Sequence, residues 1–528
     1  MRKLPGPAPA GGVGTDPGRS DDTMAYQRSQ SNHASLLELQ AGEKQIPYAR
    51  RVFVNRNLKM ASIRAIGFDM DHTLAVYRKL PTETLAFEAT RDKLIAEKGY
   101  PESIASLQYD PHLIIRGLVV DKLLGNVLKT DQYSYVVRLY HGTRQVPKEE
   151  RRRLYRNRPI RLSSPKYMSI DTLFGLPEAT LFALLVDHLE ARSRRRLDFV
   201  QIYDDVRECI DRAHADGTIK RAIVAAPGHY IERHPELAPT LAAFRDQGKK
   251  LFLLTNSEPH FTQQVMSHLL DGALRTLPSW TDYFTAVVMS AGKPGFFRAV
   301  KRPRPLRRAE LRAAGLPGGH LPPMLAGGGA RGLEALIEHA GEEILYVGDH
   351  TFGDILRAKA HSRWRTAMVV EELEPEIELE RRLSQRYQRL DALVQERHRL
   401  QGEIGRLRRR LQNLRRGGKG PRRRGARGSG TVVDAAQRLE GKILELEAES
   451  GERAAVLRQL REAIERRFNR HWGKLFKCGE INSRFGHQVK DFACVYTSAV
   501  RNFLAYPESM YFRSPREIMP HEAGLDRE

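Results

Sequence analysis

Two carboxylates one residue apart close an apolar run, Ile63-Arg64-Ala65-Ile66-Gly67-Phe68-Asp69-Met70-Asp71-His72-Thr73-Leu74. In a parallel α/β sheet the strands are buried on both faces, and ligands gather at their carboxyl ends. Acids placed there need a cation or a reaction to offset their desolvation. Strand side chains alternate, so with a turn following, Asp69 and Asp71 can face one crevice with the Met70 carbonyl between them. One carboxylate then attacks while the other moves a proton. Alone, an Asp-x-Asp pair also fits a solvated turn, and three further stretches decide between the two.

The first, Lys250-Leu251-Phe252-Leu253-Leu254-Thr255-Asn256-Ser257, is a second apolar run that stops at small polar side chains, with Ser257 and Pro259 reading as a helix start. Helix N-terminal amides, the Thr255 hydroxyl and the Asn256 amide suit a phosphate; a plain capped helix has the same look. The second, Ser290-Ala291-Gly292-Lys293-Pro294, sets a lone Lys293 in a tight turn after the β-like Thr285-Ala286-Val287-Val288-Met289. The third, Glu343-Ile344-Leu345-Tyr346-Val347-Gly348-Asp349-His350-Thr351-Phe352-Gly353-Asp354, again ends a strand in acids, and Asp349 is the further hard oxygen a magnesium ion requires.

Asp-x-Asp-x-Thr, then Thr-Asn, then Lys, then Gly-Asp with Asp354 beyond it: taken in order, this resembles the four motifs of the haloacid dehalogenase-like phosphohydrolases. Gly67 through Tyr77, Tyr346 through Leu356, Arg116-Gly117-Leu118-Val119, Gly125-Asn126-Val127-Leu128-Lys129 and Met519-Pro520-His521-Glu522 resemble the cytosolic purine 5′-nucleotidase family in particular, over about residues 55–522. The resemblance implies a Mg²⁺-dependent hydrolase of nucleoside 5′-monophosphates such as IMP or GMP, with phosphotransfer as a side activity. Asp69 is then the nucleophile and Asp71 the general acid/base, with Thr255, Asn256 and Lys293 on the phosphate oxygens. Mg²⁺ falls to Asp69, the Met70 carbonyl and Asp349, while Asp354 orients Lys293 or a metal-bound water.

Arg207, Asp211 and His214, spaced four and three apart, share one helix face, where an i,i+4 salt bridge is the plain alternative. The positions aligning with the family's base-binding residues are Arg207, Asp211, His214 and Lys220, with Phe174 as the stacking aromatic. Ala215 stands where relatives carry an aromatic. Phe352 matches the aromatic of an effector site, whereas Asp171 and Ala360 replace the amide and lysine expected there, so activation by adenine nucleotides is expected to be weak or absent.

No stretch approaches 18 consecutive apolar residues, and the N-terminus has no basic start followed by an apolar run, which argues against a membrane span or secretory signal. Cys209, Cys478 and Cys494, three and far apart, argue against a disulfide framework or zinc site and fit a reducing cytoplasm. The net charge of +23 raises nucleic acid as a partner, but residues 401–430 alone hold eleven Arg/Lys against one Glu.

The expected fold is α/β: a Rossmann-like core with a parallel sheet, an inserted α+β cap and a C-terminal helical hairpin. Residues 1–45, rich in Gly, Pro and Ser, read as a disordered tail. The core takes 46–80 and 240–375, and the cap takes 81–239, where substrate discrimination should reside. A heptad seam, with Leu390, Arg397, Ile404, Leu411 and Leu393, Leu400, Leu407, Leu414, resumes at Leu439, Ile443, Leu446, Leu457 and Ile464. It makes 376–470 a coiled-coil hairpin with a basic tip, suited to self-association into a dimer or tetramer. Residues 471–528 fold back on the core. Two alternatives compete: a phosphatase of broader or other phosphomonoester specificity, and a nucleic-acid-associated protein acting through the basic hairpin.

Overall fold

Nine strands build the main sheet of the computed structural model: β1 (Phe53–Val54), β2 (Ala65–Phe68), β3 (Lys250–Leu254), β4 (Ala286–Met289), β5 (Arg304–Pro305), β6 (Met324–Ala326), β7 (Ile344–Gly348), β8 (Arg365–Val369) and β9 (Val495–Thr497). Their order is β1-β9-β8-β7-β2-β3-β4-β6-β5. The seven inner strands run parallel, and β1 and β5 are antiparallel edges. Every residue of β2, β4 and β7 is buried, as a sheet covered on both faces demands. Gly67 is fixed by the neighbouring strand, because a Cβ there would lie 2.2 Å from the Phe252 ring.

The structure describes residues 46–517 except 157, 194, 317–320 and 418–428. The tail expected over 1–45, most of the basic tip and Met519-Pro520-His521-Glu522 lie outside the described residues. The chain divides at Arg51, before which Tyr48–Arg50 form a short helical turn; Val52 onward is one unit.

β2 and β3 are sheet neighbours, Gly67 opposite Phe252, although about 180 residues separate them in sequence. The intervening chain forms its own five-stranded antiparallel sheet, Arg144–Gln145, Val136–His141, Asn126–Thr130, Val119–Asp121 and Tyr167–Ser169 in that order. Three helices join it: α1 (Lys79–Lys98), α2 (Gly175–Glu190) and α3 (Phe199–Ala215). Asp198 caps α3 by accepting the Val200 and Gln201 N–H groups, which sets the register that puts Arg207, Asp211 and His214 on one side.

Two features differ from the expectation. The Pro/Arg/Gly-rich stretch after Lys293, which reads as a surface excursion, returns a core strand: β6 pairs with β4 over three residues. So short a strand, between Pro322-Pro323 and Gly327-Gly328-Gly329, has no periodicity to betray it. The C-terminal segment adds β9 to the main sheet, and it also places Trp472 in the hydrophobic cluster of the inserted domain. Lys129 of that domain, buried, donates to the Trp472 and Lys477 carbonyls at 2.8 and 2.9 Å.

The helix α4 (Pro259–Leu270) follows β3, and beyond β8 the long helices are α5 (Ser384–Gly417) and α6 (Ser429–Phe468). Leu390, Ile404, Leu411, Ile443, Leu446, Leu457 and Ile464 of the heptad series are buried.

Candidate active site

Four parallel strands end at one place. Asp69 and Asp71 follow β2, Thr255 to Ser257 follow β3, Lys293 sits in the turn after β4, and Asp349 follows β7 with Asp354 in the next helical turn. The Lys293 ammonium lies 2.8 Å from Asp69 Oδ1 and 2.9 Å from Asp354 Oδ1, and donates to the Tyr346 hydroxyl at 3.1 Å. Asp69 Oδ1 also accepts the Met70 N–H at 2.7 Å, which loads both donors on one oxygen. Asp354 takes further bonds from the Tyr346 hydroxyl and the His350 N–H.

These carboxylates perturb one another. Burial lifts the Asp69 proton affinity well above the usual carboxylate range, Lys293 opposes, and the charges of Asp354, Asp349 and Asp71 add to the lift. Asp349 is pushed up to about 6, again by burial first, with His72 and Arg116 pulling it down. Burial works against the Lys293 ammonium, but Asp354 and Asp69 outweigh it and hold the amine charged.

Asp349 is 4% exposed, and its Oδ2 has no hydrogen-bond partner. One oxygen from each of Asp69, Asp349 and Asp354 can be chosen so that all lie within 4.8 Å of one another. Three carboxylates this close, with Asp349 Oδ2 lacking a hydrogen bond and only the Arg116 guanidinium 3.8 Å from it, fit a magnesium-sized cation. The Met70 carbonyl does not join them. It accepts the Leu74 and Ala75 N–H groups at 3.0 and 2.9 Å and that of Thr73 at 3.3 Å, so the turn after β2 consumes it.

Two other expectations shift. Asn256 lines the pocket, yet its amide donates to the Lys293 carbonyl at 3.0 Å and its carbonyl accepts the Lys293 N–H at 2.7 Å, so it fastens the lysine turn. Thr255 is wholly buried, its hydroxyl accepts the Ser257 N–H at 3.0 Å, and it is not among the residues lining the pocket.

Sequence reasoning overlooked the residues that hold the acids. The Tyr77 hydroxyl donates to Asp71 Oδ1 at 2.6 Å and the Ser257 hydroxyl to Oδ2 at 2.9 Å. Buried Arg116 donates to the Asp349 carbonyl at 3.1 Å and forks onto Glu372. His72 pairs with Glu371 at 3.1 Å; burial disfavours its imidazolium, but Glu371 raises it to about 9. All three signals stood in motif segments: Tyr77 six residues after Asp71, Ser257 beside Asn256, and Arg116 opening Arg116-Gly117.

A pocket of about 510 Å³ runs from the acids to the inserted domain, and Phe174, Arg207, Asp211, His214 and Lys220 all line it. Phe174 stands at the start of α2 with its ring edge-on to His72 and His214, at 4.6 and 6.0 Å between centroids. Arg207 grips Asp211 through two bonds of 3.0 and 2.8 Å and reaches Glu178 at 2.8 Å, so the i,i+4 bridge is present. Lys220 pairs with Glu258 and lies over the Phe261 ring. Burial, then the Lys220 charge, lowers the His214 proton affinity.

Acids and a lysine at the carboxyl ends of a parallel sheet, facing an inserted domain across a deep pocket, are the build of an α/β phosphohydrolase. The model of the 5′ nucleotidase family matches residues 52–524, and the chain belongs to that family. It is by that membership a phosphoric monoester hydrolase. A 5′-nucleotidase domain-containing protein of Dictyostelium discoideum is 27% identical over 484 residues, covering 90% of this chain and 75% of the relative. Among solved structures, CbbY from Rhodobacter sphaeroides in complex with phosphate is 15% identical with a TM-score of 0.21, and 2-haloacid dehalogenase from Pseudomonas syringae is 18% identical with a TM-score of 0.19. Each match covers 58% of this chain and 86% of the other, and both overlaps are weak. Among the described residues no helix is long and apolar enough to cross a membrane.

Proposed function

We propose that the protein hydrolyses purine nucleoside 5′-monophosphates, IMP and GMP among them, through an aspartyl-phosphate on Asp69. The observation that carries this reading is the Lys293 knot. With Lys293 and the Met70 N–H both on Asp69 Oδ1, Oδ2 is the oxygen left to attack phosphorus. Phosphorus–oxygen bond formation at Oδ2 accompanies loss of the 5′-oxygen, which Asp71 protonates; Asp71 then takes a proton from the water that frees the phosphate. Tyr77 and Ser257 hold the two Asp71 oxygens in place for both transfers. Lys293 neutralises charge building on the phosphoryl oxygens, with Asn256 fixing its turn. Asp69 and Asp349 would hold Mg²⁺, with Asp354 beside them, and the ion supplies charge neutralisation between carboxylate and phosphate.

The base end of the pocket supports a purine: Phe174 offers a ring face, while Arg207, Asp211, His214 and Lys220 offer donors and a carboxylate to an oxopurine edge. Asp171 is tied to Arg484 at 2.5 Å and the Arg357 guanidinium covers the Phe352 ring at 4.4 Å, which supports weak or absent activation by adenine nucleotides. A dimer or tetramer and phosphotransfer to a second nucleoside belong to the same reading. The test is phosphate release from a panel of nucleotides and simple phosphomonoesters with and without Mg²⁺. IMP and GMP should lead, and only with the metal; a flat profile across the panel favours the broader phosphatase.

A further inference from the structure

The arm carries a charged surface that phosphate chemistry does not use. Helix α5 turns Ile404 and Leu411 onto Ile443 and Leu446 of α6, and Arg408 and Arg415 reach across to Glu447 and Glu440. Between 399 and 416 this leaves Arg399, Arg406, Arg409, Arg410 and Arg416, all exposed, and none of the five forms an ion pair among the described residues. They fall on the flank and back of the helix, away from the seam. Glu403 is the only acid in that span, and its 18 residues of helix extend roughly 27 Å.

The surroundings select the partner. An in-plane membrane helix needs an apolar face beside its charge, and that of α5 is spent on α6. A protein interface needs an aromatic or aliphatic anchor, whereas Gly402 and Asn413 lie between these arginines. Single strands need aromatic platforms, and no Phe, Tyr or Trp occurs from 388 to 416. A duplex needs only cations spaced along its phosphates. We propose that the outward arginine face of α5 docks the phosphodiester backbone of a nucleic-acid duplex, independently of the phosphohydrolase site.

The experiment is fluorescence anisotropy of a labelled RNA duplex, with a DNA duplex in parallel, titrated with the full chain over a range of salt. Binding should weaken linearly in log–log form. Replacing Arg399, Arg406, Arg409, Arg410 and Arg416 by Gln should flatten that slope by about 4.5 on the DNA duplex, near 0.9 per lost contact. Unchanged phosphate release by this variant shows that the rest of the chain is folded. A control with Arg152→Gln and Arg153→Gln, on the exposed helix Lys148–Tyr155, should leave the slope unchanged to within about 0.5. No duplex binding at low salt overturns the proposal, as does an unchanged slope in the five-residue variant, an equal loss in the control, or displacement of the duplex from α5 by anionic phospholipid vesicles.

Discussion

The floor of the pocket and its far wall both hold paired charges, but the pairs differ in kind. At the floor, Asp69 and Asp354 share one lysine, while Asp349 Oδ2 is buried without a hydrogen bond, 3.8 Å from the Arg116 guanidinium. Lys293 serves two of the three acids and Arg116 stands off the third while also serving Glu372, so the crowded carboxylates favour a cation or a reaction that relieves them. At the wall, Arg207 is already satisfied by Asp211 and Glu178, and Lys220 by Glu258. A ligand there must displace existing bonds, so the wall can discriminate between bases yet contributes modestly to affinity. On the proposed reading the floor sets rate, and the wall sets choice.

The largest expected effect breaks the floor. Asp69→Asn should leave the circular dichroism spectrum unchanged and lower phosphate release by about 10⁴-fold or more, the scale of losing an essential nucleophile. A rate within tenfold of the parent removes Asp69 from that role.

A smaller effect should come from the residue that fastens the floor. Asn256→Ala frees the turn around Lys293 without touching its ammonium, and kcat should fall about 10- to 100-fold, as for other partners that orient a charged group. KM should stay within about threefold. If KM rises while kcat holds, Asn256 contacts phosphate directly, as the sequence alone suggests.

The wall is sharpened by Arg207→Ala. KM for IMP should rise about tenfold, equivalent to about 1.4 kcal/mol, while turnover of an aryl phosphate lacking a base stays constant. Equal losses on both substrates would mean that Arg207 serves Glu178, a buried carboxylate it helps to keep charged, and not the base.

The same contrast governs what could be read from the chain. The floor was legible because its acids and lysine end apolar strands, and parallel-sheet topology brings strand ends together whatever lies between them. The inserted domain announced itself by the excess length between β2 and β3. What escaped was hydrogen-bond direction. Met70 was expected to turn its carbonyl to a cation, but the turn to Ala75 takes that oxygen first. Asn256 was expected to face an anion, but the Lys293 backbone lies nearer. The first depends on how the five residues after Met70 turn, the second on a 3 Å approach between segments 37 residues apart, and neither can be read from residue type alone. The strand β6 escaped for another reason, being shorter than one alternation can reveal.

The last effect is on stability and not on turnover, and concerns a carboxylate that belongs to neither group. Glu83 on α1 borders a side chamber of about 280 Å³ next to Phe174, is 7% exposed, and accepts the Tyr109 hydroxyl at 2.7 Å. Burial raises its pKa from 4.5 to about 7, with Lys79 and the Tyr109 bond opposing. The folded chain thus holds this proton more tightly than the unfolded chain. Its contribution to stability is complete below pH 4.5, declines as pH rises to about 7, and is flat above that. The loss is on the order of 3 kcal/mol. Glu83→Gln keeps the acceptor for Tyr109 and removes the ionisation. Its denaturation midpoint should therefore exceed that of the parent at pH 8 and converge with it near pH 5. A gain equal at both values would trace the effect to packing and leave the Glu83 proton without a part in it.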